Sequence, residues 1–169
     1  MLGSLGLRQL AACALALAVG ACAGDAEPAP GPAGSRTATV TKISDGDTVR
    51  LSGLGRVRLI GVDTPEVHGR AECFGAEASA FVERLLPPGA RVRYRLGTEE
   101  RDRYGRALAY VWLRDGRFLN RLLVVRGYAQ PLTIPPNVEY ADRFGADARR
   151  AREAGRGLWG SAGCAARER

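Results

Sequence analysis

Residues 36–63 alternate between apolar and polar side chains, and this pattern constrains the fold more than any other feature of the chain. The segment reads RTATVTKISDGDTVRLSGLGRVRLIGVD and is rich in β-branched residues. A period of two with β-branched residues is typical of strands that bury one face. Because an SGLG turn separates two such runs, we predict successive antiparallel strands in this half of the chain.

The later segments add further strands and three helices. Apolar residues at helical spacing predict a first helix in residues 77–86, which Pro87 and Pro88 end. Residues 90–96 alternate strictly, and residues 106–119 are predicted to form a strand pair around an Asp115-Gly116 turn. Two more helices are predicted in residues 120–129 and 137–157, the last with Asn137 as its N-cap. This order predicts an α+β fold: an OB-fold, a five-stranded antiparallel β-barrel, with three helices.

The N-terminal segment differs in composition from the rest of the chain. Residues 1–22 contain one basic residue, Arg8, followed by an apolar run, and we interpret them as a signal peptide. The run ends in VGAC, which resembles a bacterial lipobox in which Cys22 is acylated; a simple secretory signal is the alternative. Either interpretation predicts an exported protein. We divide the rest into a Pro/Ala/Gly linker (23–35), one domain (36–163) and a C-terminal tail (164–169).

Two of the four cysteines, Cys73 and Cys164, fall outside the signal segment. An exported protein meets oxidising conditions, so we predict a disulfide between them, with two free thiols as the alternative. The formal net charge of +7 predicts an anionic partner, such as nucleic acid, acidic lipid or an acidic polymer.

Carboxylates occur where the strand pattern does not require them. Asp45 and Asp47 flank Gly46, an arrangement that by itself is typical of a turn before a strand. The acids do not continue at alternate positions, which excludes an EF-hand loop. Further along, VDTPE (residues 62–66) crowds oxygen donors at a strand end, and these would suit a hard divalent cation if Asp47 converged on them.

Arginines lie close to these acids in the sequence. Arg58 lies within the strand before VDTPE, and RDRYGR (residues 101–106) supplies several more. Each is compatible with an ordinary charged surface. Together with the acids, however, they provide the cation site, fixed guanidinium groups and carboxylate that phosphodiester hydrolysis requires. The single histidine, His68, is interpreted as a loop surface residue, and no Ser-His-Asp or Cys-His arrangement is supported.

Five motifs, in order, resemble the thermonuclease (staphylococcal nuclease-like) family over roughly residues 36–163: ISDGDTVRL, VRLIGVDTPE, ECFGAEASAF, RDRYGRALAYV and GRGLW. The resemblance implies a calcium-dependent nuclease (cofactor Ca2+) that hydrolyses DNA and RNA at the P–O5′ bond and leaves 3′-phosphate ends. The partners are then single- or double-stranded DNA and RNA. We predict no obligate protein partner, and a membrane contact only through the N-terminal lipid anchor.

The resemblance also implies a role for each matched residue. It assigns Asp47, Asp63 and the Thr64 carbonyl to calcium, and Asp45 to the outer shell of that ion. For catalysis, it assigns the role of general base to Glu66 and the role of phosphate binding to Arg58 and Arg106. Arg103 and Tyr104 match residues that contact the other phosphate of the nucleotide.

The chain departs from the family pattern in two loops. The loop before the last helix reads PLTIPPNVEY and lacks the two tyrosines of the best-known family member, and the loop after Glu66 is shortened to VHGRAE. A non-catalytic nucleic-acid or polyanion-binding module of the cell envelope is the alternative function, which the intact catalytic positions disfavour.

Overall fold

The computed structural model describes residues 31–69, residues 71–160 and Cys164. The predicted signal peptide with Cys22, residues 23–30 of the predicted linker and residues 165–169 of the predicted tail lie outside the described residues. Within the described part, no helix has both the length and the apolar character needed to cross a membrane.

The described chain follows the predicted order of the main strands and helices, with two short strands, β4 and β7, added to it. Its elements are β1 (Arg36–Ile43), β2 (Thr48–Leu51), β3 (Gly55–Leu59), β4 (Val62–Asp63), α1 (Gly75–Leu85), β5 (Arg91–Arg101), β6 (Ala107–Trp112), α2 (Leu119–Val125), β7 (Gln130–Pro131), α3 (Ala141–Glu153) and a final 3₁₀ turn (Gly157–Trp159).

Five strands close into a barrel in the order β1-β2-β3-β6-β5. The predicted α+β barrel with three helices is confirmed. The predicted antiparallel pairing is wrong at one place: β3 and β6 run parallel, with Val57 opposite Ala107 and Arg58 opposite Leu108. This parallel pair closes the barrel and places Arg58 next to the strand that follows Arg106.

The alternating pattern fills the barrel with small branched residues. Several inward-facing valines are at most 1% exposed: Val40, Val49, Val57, Val92 and Val111. Burying each such valine contributes roughly 1.5–3 kcal/mol. Asn120 of α2 is also fully buried, and its Nδ2 donates to the Ile60 carbonyl at 2.9 Å while its Oδ1 accepts from the Val111 amide at 3.0 Å. Asn120 therefore holds the end of β3 against β6.

Two local predictions are wrong in detail. The Asp115-Gly116 turn is present, but the return strand shrinks to one bridge between Trp112 and Phe118, because α2 begins at Leu119 and buries its apolar face on the barrel. Asn137 does not cap α3, which begins at Ala141. The Asn137 side chain instead accepts a hydrogen bond from the Glu99 amide and donates one to the Glu99 carbonyl.

The structure contains the predicted disulfide between Cys73 and Cys164, whose Cα atoms are 5.7 Å apart. It joins the segment before α1 to the chain beyond the 3₁₀ turn. A separate two-stranded sheet, in which Asp63 of β4 lies opposite Gln130 of β7, fixes the backbone of the VDTPE motif.

Candidate functional site

Arg58 connects the two carboxylates that the sequence assigns to a cation. Its Nη2 lies 3.1 Å from Asp47 Oδ2 and 2.7 Å from Asp63 Oδ1. Its Nη1 donates to the carbonyls of Leu59 and Val62 at 2.9 and 2.6 Å. These bonds hold the guanidinium in one orientation, and the two carboxylates converge on it.

Asp47 also joins the turn after β1 to the VDTPE motif. Its Oδ2 accepts hydrogen bonds from the Thr64 amide at 2.9 Å and the Thr64 hydroxyl at 3.1 Å. Gly46 permits this contact, since a Cβ at that position would lie 2.9 Å from Thr64 Oγ1. Gly46 does not have a positive φ, so the glycine is required for close packing against Thr64 and not for the turn itself.

Asp45 has a different place from Asp47. Its Oδ1 accepts from the amides of Asp47 and Thr48 at 3.0 and 2.6 Å, and so it stabilises the turn that carries Asp47. Burial raises the pKa of Asp45, and the neighbouring charge of Asp47 raises it further against the lowering effect of the two amide bonds. Asp45 therefore contacts the backbone of its own turn, whereas Asp47 contacts Arg58 and Thr64.

The acids around Asp63 leave a local excess of negative charge. Burial raises the pKa of Asp63 and Arg58 lowers it, but the charges of Asp47, Glu72 and Glu66 raise it again, so the net shift is upward. An added cation would relieve this repulsion. Oxygen donors from two carboxylates and a carbonyl are also the ligands that a hard divalent ion prefers, so the residues present fit calcium.

The described part of the chain holds no group of three or more His, Cys, Asp or Glu side chains arranged to bind a metal. A cation at this position would therefore depend on Asp47, Asp63, a backbone carbonyl and water. Calcium sites commonly include carbonyl and water ligands beside carboxylates.

Glu66 lies on a loop that folds back on itself. Its Oε1 accepts from the amides of Val67 and His68 at 3.1 and 3.0 Å. Its own amide donates to Glu72 Oε2 at 3.0 Å, and the Glu72 amide donates to the Glu66 carbonyl at 2.8 Å. The first residue of α1, Gly75, packs so closely that a Cβ there would lie 2.6 Å from the Glu66 carbonyl oxygen. We call Glu66, Glu72 and Gly75 the clasp.

A cleft of about 490 Å³ opens beside Arg58. Arg106 and Arg103 line it together with Arg58, and so does the ring of Tyr104, which is 59% exposed. Arg103 Nη2 donates to the Tyr104 hydroxyl at 2.6 Å, and the guanidinium of Arg106 lies 5.5 Å from the Tyr104 ring centre. The cleft thus presents several guanidinium groups to one volume, an arrangement suited to phosphate.

Asp102 orients Arg106. Its Oδ2 accepts from Arg106 Nε at 2.7 Å, and its Oδ1 accepts from the amides of Arg106 and Tyr104, each at 2.9 Å. Burial alone would raise the pKa of Asp102, but these hydrogen bonds outweigh burial and hold the pKa below its usual value. Asp102 therefore stays ionised and keeps Arg106 directed into the cleft.

The far wall of the cleft is aliphatic. Leu132 and Ile134 line it and are 37% and 58% exposed. They occupy the loop in which the sequence lacks the tyrosines of the family pattern, so a ligand in the cleft would meet aliphatic side chains there. The predicted site residues thus form two groups, and Arg58 belongs to both. The other members of the acidic group are Asp45, Asp47, Asp63 and Thr64. The other members of the cleft group are Arg103, Tyr104 and Arg106. Glu66 makes its hydrogen bonds within its own loop.

Comparison with known proteins identifies the family. The family model described as "Staphylococcal nuclease homologue" matches residues 56–161, which is more than half of the chain. The chain belongs to the staphylococcal nuclease homologue family. The match covers the cleft group and Glu66, and it begins after Asp45 and Asp47.

Relatives of this nuclease-homologue chain include proteins named as nucleases. It is 36% identical over 133 residues to a thermonuclease of Staphylococcus hyicus, covering 75% of this chain and 78% of that protein. It is 43% identical over 107 residues to a thermonuclease of Staphylococcus intermedius, covering 60% of this chain and 62% of that protein. The endonuclease YhcR of Bacillus subtilis is 32% identical over 148 residues, which are 79% of this chain but 12% of that protein.

In this member of the staphylococcal nuclease homologue family, two contributing residues were not predicted. Asp102 lies four residues before Arg106 within the quoted RDRYGR motif, and an acid before a turn could have been recognised as its orienting partner. Glu72 has no comparable signal, because its contact with Glu66 depends on how the shortened loop closes.

Proposed function

We propose that this protein is a calcium-dependent nuclease that hydrolyses phosphodiester bonds in DNA and RNA and leaves 3′-phosphate ends. One observation carries the proposal: Arg58 contacts two converging carboxylates and also lines the guanidinium-rich cleft. A phosphate in the cleft would thus lie next to the acids. The family membership and the nuclease names of the relatives support the same reaction class.

The guanidinium groups of Arg58 and Arg106 bind the target phosphate in this mechanism. Hydrolysis increases the negative charge on the equatorial phosphate oxygens, and oriented guanidinium groups stabilise that charge. Asp102 supports Arg106, and the Leu59 and Val62 carbonyls support Arg58, so both groups are oriented before the substrate binds. Arg103 and Tyr104 would contact a neighbouring phosphate at the mouth of the cleft.

Glu66 is the proposed general base. Its carboxylate accepts a proton from the attacking water, whose oxygen forms the new bond to phosphorus. The P–O5′ bond breaks, the 5′ oxygen takes a proton from solvent, and the phosphate stays on the 3′ side. The exposed position of Glu66 and its fixed loop are compatible with this role.

Asp47, Asp63 and the Thr64 carbonyl would hold calcium, with Asp45 behind them. Calcium supplies positive charge that offsets the charge developing on the phosphate. The upward pKa shift of Asp63, caused by burial and by its acidic neighbours, is the observation that favours a cation there.

We also propose that the protein is exported and lipid-anchored at Cys22, or otherwise secreted. The disulfide between Cys73 and Cys164 supports this proposal, because disulfides persist in oxidising compartments. Labelling with a fatty-acid probe, compared with Cys22→Ala, tests the anchor.

Cleavage of end-labelled single-stranded DNA tests the nuclease proposal, with calcium and with a chelator. Glu66→Gln and Arg106→Ala should each reduce kcat/KM by roughly 100-fold or more, because a general base and a charge-stabilising group each contribute on that order. Arg149→Ala, on the exposed face of α3, is the matched control and should cleave like the wild type. Calcium-independent cleavage, or unchanged activity in both site variants, would contradict the mechanism. Salt-sensitive binding without cleavage would favour the binding module.

A further inference from the structure

Three cations lie side by side on the outer face of the barrel. Lys42 of β1 is opposite Arg50 of β2, and Arg50 is opposite Arg56 of β3. All three side chains are exposed. We call these three residues the basic band.

A β-bulge brings Lys42 into this band. Val40 pairs with Leu51 and Lys42 pairs with Arg50, so Thr41 is an extra residue in β1. Strict alternation after the buried Val40 would direct Lys42 inward, whereas the bulge directs it outward, next to Arg50. Bulges redirect side chains in this way and are frequent next to functional sites.

Without a bound partner, the like charges of the basic band destabilise the folded protein. Like charges directly opposite each other on neighbouring strands are destabilising. Among the described residues, no ion pair joins Lys42, Arg50 or Arg56 to an acid; the contact of Arg56 is a hydrogen bond from its Nη2 to the Tyr104 carbonyl at 3.5 Å. A polyanion bound along the outer face would neutralise this repulsion.

The band also continues directly from the cleft. Arg56 lies two residues before Arg58 on the same face of β3, a separation of about 6.6 Å at the usual rise of a strand. Its bond to Tyr104 ties it to the cleft on the side of Arg103 and Arg106.

We propose that the basic band binds the sugar-phosphate backbone of a nucleic-acid strand where it leaves the cleft, as an extended binding surface beyond the cleaved bond. This inference rests on the proposed nuclease function, because the strand it binds is the substrate. Guanidinium and ammonium groups suit phosphate oxygens, and a row of them binds a backbone without regard to sequence. Continuity with Arg58 favours a nucleic-acid strand over an anionic lipid surface.

Binding of a 20-nucleotide single strand tests the proposal in a Glu66→Gln background, which prevents cleavage. We compare the variant Lys42→Gln/Arg50→Gln/Arg56→Gln with the control Arg114→Gln/Arg143→Gln/Arg149→Gln, which removes three exposed arginines elsewhere. The band variant should bind about ten-fold more weakly. Its slope of log K against log salt should fall by about two, at roughly 0.7 for each phosphate that the protein no longer neutralises. The control variant should match the parent in both measurements.

In the cleaving enzyme, the band variant should lose about ten-fold in its preference for the 20-mer over a trinucleotide, because the shorter strand does not reach the band. Its melting temperature should equal or exceed that of the parent, since repulsion is removed. If the triple variant does not fold, the single variant Arg50→Gln replaces it in the binding measurement. Its slope of log K against log salt should fall by about 0.7.

Unchanged 20-mer affinity and slope in the band variant would overturn the proposal, and so would an equal loss in the control variant. Loss of binding to phosphatidylserine vesicles with intact 20-mer affinity would also overturn it and assign the band to a lipid surface. A wild-type protein that cleaves neither substrate would contradict the proposed function. In that case, the salt dependence of 20-mer binding would still test whether the basic band binds a nucleic-acid strand.

Discussion

At the scale of single residues, Asp45 and Asp47 are two positions apart and have different tasks. Asp47 contacts Arg58 and Thr64 through its carboxylate, whereas Asp45 accepts from backbone amides of its own turn. We predict that Asp47→Asn lowers calcium affinity on the order of 100-fold and Asp45→Asn about 10-fold, as expected for a ligand and for an outer-shell residue. Asparagine keeps the shape of both side chains, and its amide oxygen in the Asp45→Asn variant remains an acceptor for the turn. Calorimetric titration with calcium measures both, and equal losses would contradict the assignment.

The sequence alone could predict part of this cluster. Asp47, Arg58 and Asp63 lie at or near the ends of neighbouring strands, so their convergence follows from the strand order. The requirement for Gly46 could not be predicted in the same way, because it arises from contact with the Thr64 side chain across the packed loops. Sequence patterns locate strand ends, and side-chain contacts between loops require the folded backbone.

At the scale of elements, the clasp attaches the Glu66 loop to the start of α1. We predict that Glu72→Ala lowers kcat by roughly 10-fold to 100-fold, because a base displaced by about 1 Å loses activity on that order. Glu72→Gln should retain most of the activity, since its amide oxygen can still accept from the Glu66 amide. Glu77→Ala, at an exposed position of α1, is the control. Steady-state kinetics on one DNA substrate measure all three variants. A Glu72→Ala enzyme with wild-type kcat would contradict the prediction that the clasp positions Glu66.

The strands and helices themselves were largely predictable, because alternation and helical spacing follow burial. The failures occurred where packing overrides local pattern. The strand expected after Gly116 gives way to α2, whose Leu119 and Leu123 are fully buried on the barrel. Lys42 faces outward because of a bulge that no residue type in β1 signals.

At the scale of the whole molecule, the disulfide connects positions 91 residues apart. We predict that Cys73→Ser/Cys164→Ser lowers the free energy of unfolding by about 2–4 kcal/mol, because the unfolded chain regains the entropy of a long closed loop. Urea denaturation measures the change, and wild-type protein under reducing conditions should show the same loss. A denaturation midpoint unaffected by either treatment would show that the link does not stabilise the fold.

The parallel pairing of β3 with β6 has a consequence for how the protein acquires its site. Val57 meets Ala107 fifty positions later in the chain, and the same pairing brings Arg58 beside Leu108, two residues after Arg106. Contacts of such long sequence separation form slowly, because the intervening chain must be ordered first. We therefore expect the two arginines to become neighbours only when β3 pairs with β6. A fragment that ends before β6 would keep both arginines but lack the strand that brings them together, so the recovery of enzyme activity during refolding would report when the barrel closes.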